Sequence, residues 1–458
     1  MANRERSKTG IDTSERVFER DVSVPVLRMK KTASLYTLGC RLNQAETALL
    51  AERLRAAGYA LVPFGAPAHL GIIHTCTVTA EADAKSRKAV RAFIRKNPEA
   101  FVAAIGCYSE VAREHIARIP GVDLIVGNCR KLDLLDYVTD TKNETPRVVL
   151  GPIEGGDFTL PVCGDSPVTR RANLKVQDGC DAKCSYCVVP LARGTSRSRE
   201  TDNLIEEARN LVARGAKEIV LTGVNVGAYQ FQGSALSDVI ERLNTINGLE
   251  RIRISSIEMT QAPEAVFDWM NDPDHTLVPF LHIPLQSGSD AVLKRMNRPY
   301  AAADFYAFLE RAAAAVPDLC VGTDVLVGFP GETDADFDAT CRLVEDTCIA
   351  YAHVFAYSAR PGVPAAHFPD PVDPRVIRGR GECVRRLSAG KHRRFLERYI
   401  GKTRSVLFET VEDGRWAGYT DNYIRVAACS AEDLTNEIRS VLLEEPRGRV
   451  MAGRILDG

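Results

Sequence analysis

Cys180, Cys184 and Cys187 stand in the run Cys-Asp-Ala-Lys-Cys-Ser-Tyr-Cys, a C-x3-C-x2-C spacing. Three thiolates so arranged can hold an iron–sulfur cluster and leave one iron without a protein ligand. A small molecule can then bind that iron and be reduced on it. A structural zinc needs a fourth ligand, and Val188 to Gly194 supply neither His nor Cys. Disulfide pairing is also disfavoured. The 13 cysteines are scattered over 458 residues, and residues 1–31 lack the apolar middle of a signal peptide. That usage is expected of a cytoplasmic chain with reduced thiols.

A second set of cysteines depends on the elements that carry it. Leu35–Leu38, Leu70–His74, Phe101–Ile105 and Leu124–Val126 read as strands. They alternate with helical patterns from Gln44 to Ala57, with Leu49, Leu50 and Leu54 inward, and from Glu81 to Lys96. Such alternation predicts an α/β domain over residues 33–150 with a doubly wound parallel sheet. Cys40, Cys76 and Cys107 each follow a strand, so all three fall on the carboxyl edge where these sheets gather ligands. They are the candidate ligands of a second three-cysteine cluster. Cys129, after the fourth strand, is a weaker candidate on the same rim. The remaining cysteines share no spacing and read as small buried hydrophobes.

Residues 165–400 repeat strand–helix units. Asn173–Val176, Glu218–Leu221, Arg251–Ile254, Phe280–Ile283, Val321–Val327 and Ala352–Phe355 are six strands of a partial (β/α)6, TIM-like barrel, whose chemistry lies at the carboxyl ends. Gly223, Asn225, Glu258, Gln286 and Asp324 form the polar rim there. Gly223 allows close approach of backbone to a ligand. Arg193, six residues past Cys187, is either a surface charge or a ligand anchor. Gly328–Thr333 reads as turn chemistry.

The net charge of −1 makes whole-molecule attraction to nucleic acid weak, so basic surface must be local. Arg375, Arg378, Arg380, Arg385, Arg386, Lys391, Arg393, Arg394 and Arg398 crowd one predicted helix, and Arg87, Arg91 and Arg95 share a face of another. No apolar run approaches the ~20 residues of a membrane span. Residues 1–32 read as a disordered leader, with Met29 a candidate start of translation. Residues 401–458 change to short strands and predict a small OB-like β-barrel, in which Tyr419 and Tyr423 offer faces for stacking on bases.

The combined pattern resembles the radical S-adenosylmethionine (SAM) methylthiotransferases, from Thr37 to the C-terminus. The resemblance rests on Thr37-Leu-Gly-Cys40-Arg-Leu-Asn43-Gln-Ala-Glu46, Thr75-Cys76-Thr-Val-Thr79, Gly106-Cys107, the Cys180/Cys184/Cys187 loop with Pro190 and Arg193-Gly194, and Gly328-Phe-Pro-Gly-Glu-Thr333. The tail resembles a TRAM domain. Gln44-Ala-Glu46-Thr47 and Tyr419-Thr-Asp-Asn-Tyr423 are similar to the branch acting on N6-threonylcarbamoyladenosine in tRNA. The isopentenyladenosine branch usually reads Gly-Cys-Gln-Met-Asn after its first strand, and the branch acting on a ribosomal-protein aspartate Gly-Cys-Pro-Lys-Asn. His74 stands where relatives often have Asn.

The resemblance implies two 4Fe-4S clusters and SAM as cofactors. Cys180, Cys184 and Cys187 would hold the catalytic cluster that cleaves SAM to a 5′-deoxyadenosyl radical, and Cys40, Cys76 and Cys107 the cluster that carries sulfur. Tyr186 would lie near the adenine of SAM, with Arg193, Gly223, Asn225, Glu258, Gln286 and Asp324 as candidate SAM contacts. The implied partners are the tRNA anticodon loop and a flavodoxin- or ferredoxin-like electron donor, and no motif names the sulfur donor. A non-enzymatic iron–sulfur carrier is the reading of another class, against which the polar barrel rim argues.

Overall fold

The structure is a computed structural model that describes residues 31–153, 155–162 and 164–456. The leader and Met29 expectations fall on residues 1–30, outside those described, as does Cys163.

The first domain is a six-stranded, all-parallel sheet in the order β2-β1-β3-β4-β5-β6. Its strands are β1 (Thr32–Thr37), β2 (Ala60–Leu61), β3 (Leu70–Thr75), β4 (Phe101–Gly106), β5 (Leu124–Val126) and β6 (Arg147–Val149). The edge strands β2 and β6 are too short and too exposed to leave an apolar run in the sequence. β3 and β4 are buried along their whole length, because helices cover both faces of such a sheet. Helix α1 (Arg41–Ala56) packs Leu50 and Leu54 on one face, and α2 (Ala80–Lys96) packs Val90 and Phe93 on the other. α1 begins three residues earlier than its apolar periodicity predicts. Its start buries Asn43 and Glu46 beside Leu42 and Ala45, and the two polar residues face the second domain.

The second domain has two parallel three-stranded runs. β7 (Ala172–Lys175), β8 (Glu218–Thr222) and β9 (Arg251–Ile254) form one, and β10 (Phe280–His282), β11 (Cys320–Val327) and β12 (Ile349–Ala356) the other. Hydrogen bonds from Ile257 N to His282 O (3.1 Å) and Val278 N to Ile252 O (3.0 Å) join them into one arc of six strands. This is the expected partial barrel, filled by residues such as Leu174, Leu221, Ile252, Leu281 and Val325. The basic segment forms one helix, α3 (Pro374–Glu397), packed along β12.

The tail is a closed five-stranded barrel in the order β13-β14-β15-β17-β16, from β13 (Thr403–Glu412), β14 (Arg415–Thr420), β15 (Arg425–Ala428), β16 (Ile438–Arg447) and β17 (Val450–Ile455), as a TRAM-type, OB-like domain requires. β15 starts two residues later than expected because Tyr423 is a turn residue at φ +68°. The stacking expectation for Tyr419 and Tyr423 is corrected here. The two rings stack on each other at 5.1 Å, Tyr423 packs on Phe280 at 4.6 Å, and the Arg171 guanidinium lies 4.0 Å from the Tyr419 ring centre. These aromatics dock the tail on the barrel and are not free platforms for bases.

Candidate active site

The strand ends bring Cys40, Cys76 and Cys107 to one rim. Cys40 stands at the N-terminus of α1, Cys76 follows β3 and is buried, and Cys107 follows β4 and is buried. Gly39 takes φ +99°, and a Cβ there would lie 2.8 Å from Cys76 Cβ. Only glycine lets the first cysteine loop approach the second this closely. Gly106 plays the same part for the third, at φ +96° with the His74 ring 2.6 Å from a would-be Cβ. Asn43 ties the loops, donating from Nδ2 to Leu38 O (2.7 Å) and Thr75 O (3.2 Å). Burial pushes the Cys76 thiol up to about 11 and raises Cys40, which Arg193 partly offsets; Cys107 adds to the rise of both. Cys129 stands apart, its charged neighbours being Glu110, Arg197, Lys131 and Arg130.

Cys180, Cys184 and Cys187 form a loop between β7 and a short helical turn, Val189–Arg193. Burial pushes the Cys187 thiol up to about 12. Arg298 lies against the loop. Its Nη1 donates to Cys184 Sγ at 3.4 Å, and it also pairs with Glu258 and reaches the Tyr300 hydroxyl at 2.9 Å. The half-buried Tyr186 meets Phe329 edge-on.

A buried ionic network joins the two cysteine regions. Arg193 donates to Asn43 Oδ1 (2.6 Å), to both carboxylate oxygens of Glu46 (3.1 Å each) and to Asp178 Oδ1 (2.9 Å). Lys175 reaches Glu46 at 2.8 Å and Asp178 at 2.6 Å, and Lys131 reaches Glu46 at 2.6 Å. Burial alone would raise both carboxyls, yet Arg193 and the two lysines hold Glu46 and Asp178 below the usual carboxylate range. Arg193 is thus a strut between domains, with its guanidinium committed to protein groups instead of free to anchor SAM. His74 faces the same joint, with Nδ1 2.9 Å from Thr47 Oγ1 and Nε2 3.6 Å from Glu46.

A cavity of about 940 Å³ opens between the domains. Leu38 to Leu42, Gln44 and Cys76 wall one side, and the barrel strand ends, with Gly223, Ser255, His282, Asp324 and His353, wall the other. The Cys180–Cys187 loop lies outside these walls. Gly223 packs on Gln177, whose Oε1 accepts from Val224 N and Asn225 N at 3.0 Å each. Asn225 donates to Gln261 at 2.7 Å, but its Oδ1 is buried without a hydrogen-bond partner, as is Ser255 Oγ. Gln286 takes φ +69°, a strained backbone for a side chain, and its amide group makes no hydrogen bond to any described residue. Gly328–Thr333 is structural: Glu332 accepts from Gly328 N (2.6 Å) and pairs with Arg380 (2.7 Å).

Comparison with known proteins fits this layout domain by domain. The Radical SAM superfamily matches residues 174–344, and Uncharacterized protein family UPF0004 matches 32–127. Threonylcarbamoyladenosine tRNA methylthiotransferase MtaB of Bacillus subtilis (strain 168) is 36% identical over 428 residues, 90% of this chain and 93% of the relative. The chain belongs to the radical SAM methylthiotransferases. Another relative, tRNA-2-methylthio-N(6)-dimethylallyladenosine synthase of Ruegeria sp. (strain TM1040), is 34% identical, covering 93% of this chain and 99% of its own. Among solved structures, the radical SAM methyltransferase TsrM from Kitasatospora setae, with cobalamin and a 4Fe-4S cluster bound, has a TM-score of 0.48 at 15% identity, over 74% of this chain and 77% of its own.

The residues present fit the cofactors of this methylthiotransferase class. Thiolates on one zinc lie about 3.8 Å apart, from ~2.3 Å bonds in a tetrahedron. Among the described residues only His282, Asp324 and His353 hold three ligand atoms within 4.8 Å of one another. Both cysteine triads are spread wider, as ligands to separate irons must be. The orphaned Asn225 Oδ1 and Ser255 Oγ, with the free amide of Gln286, offer a polar ligand unmet partners. Arg298, His282 and His353 were missed in the sequence. The two histidines interrupt apolar barrel strands at the level of Asp324, which was a signal; Arg298 gave none.

Proposed function

We propose that this enzyme methylthiolates C2 of N6-threonylcarbamoyladenosine beside the anticodon of tRNA. The reading is carried by one observation: a single cavity walled by thiols of one domain and the polar strand ends of a radical SAM barrel. Its substrate branch is supported by threonylcarbamoyladenosine-directed relatives at 36% identity from Bacillus subtilis and Thermotoga maritima. In that reading Cys180, Cys184 and Cys187 hold one 4Fe-4S cluster and Cys40, Cys76 and Cys107 hold another. When bound, these groups supply electrons for SAM cleavage and sulfur for transfer, which no side chain can offer at an unactivated adenine C–H.

The chain's own residues bind, orient and shield. Gly223, Asn225, Glu258, Gln286 and Tyr186 are the SAM contacts in this proposal, and Arg298 offsets negative charge at Cys184. The cavity of about 940 Å³ has room for an unstacked base of an RNA loop. Exposed Arg91 and Arg95 on α2 and Arg375, Arg378 and Arg386 on α3 make no side-chain ion pair among the described residues and support phosphate contacts. Other basic residues of that helix are structural: Arg380 is buried on Glu332 and Arg394 pairs with Glu345 at 2.6 Å. An electron donor of flavodoxin or ferredoxin type completes the scheme.

The test is nucleoside analysis of tRNA after expressing the chain in a host that lacks the modification. Appearance of 2-methylthio-N6-threonylcarbamoyladenosine is expected. Methylthiolation of isopentenyladenosine alone, or of a ribosomal protein alone, would overturn the substrate assignment.

A further inference from the structure

Asp324, a candidate SAM contact in the sequence, stands in the cavity within a cluster whose two histidines that reading does not account for. Asp324, His282 and His353 come from β11, β10 and β12, three neighbouring strands. Asp324 Oδ1 lies 3.0 Å from His282 Nε2 and 3.4 Å from His353 Nδ1. Asp324 and His353 are register partners, so strand pairing fixes their approach. The two imidazoles, against the effect of burial, hold the Asp324 carboxyl well below the usual carboxylate range. One side of the cluster is closed, since His282 is buried. The other is open: the His353 side chain is 58% exposed and its Nε2 has no hydrogen-bond partner among the described residues.

A carboxylate on Nδ1 fixes both tautomer and ring orientation of a histidine. Here His353 lines the cavity with its Nδ1 beside the Asp324 carboxylate. Arg385, on α3, lines the same cavity. It is exposed and makes no ion pair or side-chain hydrogen bond among the described residues, unlike Arg380 and Arg394 on the same helix. The other guanidiniums of the wall are engaged. Arg253 pairs with Glu218 at 2.6 Å, and Arg41 donates to the Tyr423 hydroxyl at 2.8 Å. Lys85 pairs with Glu81 at 2.7 Å. Arg385 is therefore the guanidinium of this wall left without a partner among the described residues, and it shares the wall with the exposed His353.

An isoprenoid substituent on the base would leave both desolvated without partners, which is unfavourable. An amino-acid substituent linked through a urea brings a carboxylate and further polar groups. We infer that His353 and Arg385 form the anion subsite that takes the carboxylate of such a substituent, with Asp324 and His282 positioning the His353 ring. The inference rests on the proposed substrate class and names the residues that would select it.

The test uses the full chain with its clusters reconstituted and two anticodon stem–loop RNAs. One carries N6-threonylcarbamoyladenosine, the other its threonine methyl ester, which keeps the shape and removes the charge. His353→Gln and Arg385→Gln are each expected to raise KM for the carboxylate RNA about tenfold or more with a smaller effect on kcat, the pattern of lost binding. On the ester the same variants should change KM by less than about twofold, and Arg394→Gln, outside the cavity on the same helix and paired with Glu345, should behave as wild type on both RNAs. Equal KM increases on the two RNAs would overturn the inference and assign Arg385 to an RNA phosphate. A stoichiometric non-iron metal lost in His353→Gln would overturn it in favour of a metal site, and unchanged KM would overturn it outright. Wild-type enzyme that leaves the carboxylate RNA unmodified would instead overturn the substrate reading itself.

Discussion

The two cysteine regions each gather three thiols, by opposite routes. Cys180, Cys184 and Cys187 occupy one loop, and a guanidinium from a distant part of the chain, Arg298, is brought to it. Cys40, Cys76 and Cys107 come from three strand ends, and their approach depends on Gly39, Gly106 and the Asn43 bridge. A contiguous loop can hold its geometry locally. A rim assembled from topology depends on the whole domain and, through Arg193, Glu46 and Asp178, on the barrel beneath it. The joint therefore couples the second site to the first more than the reverse.

Replacing whole triads with alanine should separate the roles most strongly. Loss of Cys180, Cys184 and Cys187 is expected to abolish formation of 5′-deoxyadenosine in an anaerobic assay. Loss of Cys40, Cys76 and Cys107 should leave uncoupled SAM cleavage and stop methylthio transfer. RNA modification by the second variant would show that the comparison is misdrawn.

Glu46→Gln attacks the joint. It leaves Arg193, Lys131 and Lys175 short of a buried partner, and breaking such a pair costs about 3–5 kcal/mol. Denaturant unfolding should show that loss at neutral pH. The folded pKa values of Glu46 and Asp178 lie below their unfolded values of about 4.3 and 3.9. Their contribution to stability is therefore present above those values and fades as pH falls through the lower folded ones. Wild-type stability should drop steeply below about pH 4, and Glu46→Gln should show a shallower acid limb over that window.

Arg298→Gln is the local counterpart. Removing the charge beside Cys184 should lower the reduction potential of the barrel cluster and slow SAM cleavage about 10–100-fold, the usual reach of groups behind a ligand. The optical spectrum of the N-terminal cluster should not move. Gly39→Ala should be the mildest, about 1–3 kcal/mol of backbone strain, with iron lost from the N-terminal site before the barrel site.

Legibility in the sequence follows the same division. The C-x3-C-x2-C loop was visible as a motif, and the barrel strands as apolar runs. Cys40, Cys76 and Cys107 became a set only once each was placed at a strand end. Arg193 stayed open between a surface charge and a ligand anchor because its partners Glu46 and Asn43 lie about 150 positions away. The first turn of α1 was missed because Asn43 and Glu46, buried on partners in the other domain, interrupt the hydrophobic period of Leu42, Ala45, Leu50 and Leu54. Tyr419 and Tyr423 looked like platforms for bases because their packing partners, Arg171 and Phe280, belong to another domain.

Mössbauer spectroscopy of the anaerobically reconstituted chain, beside the two triad variants, tests the division most directly. Two 4Fe-4S clusters, about eight irons, are expected in the intact chain. Each variant should keep one, and SAM should perturb a single iron only while Cys180, Cys184 and Cys187 are present. One cluster in the intact chain, or loss of all iron with either triad, would contradict two separate centres.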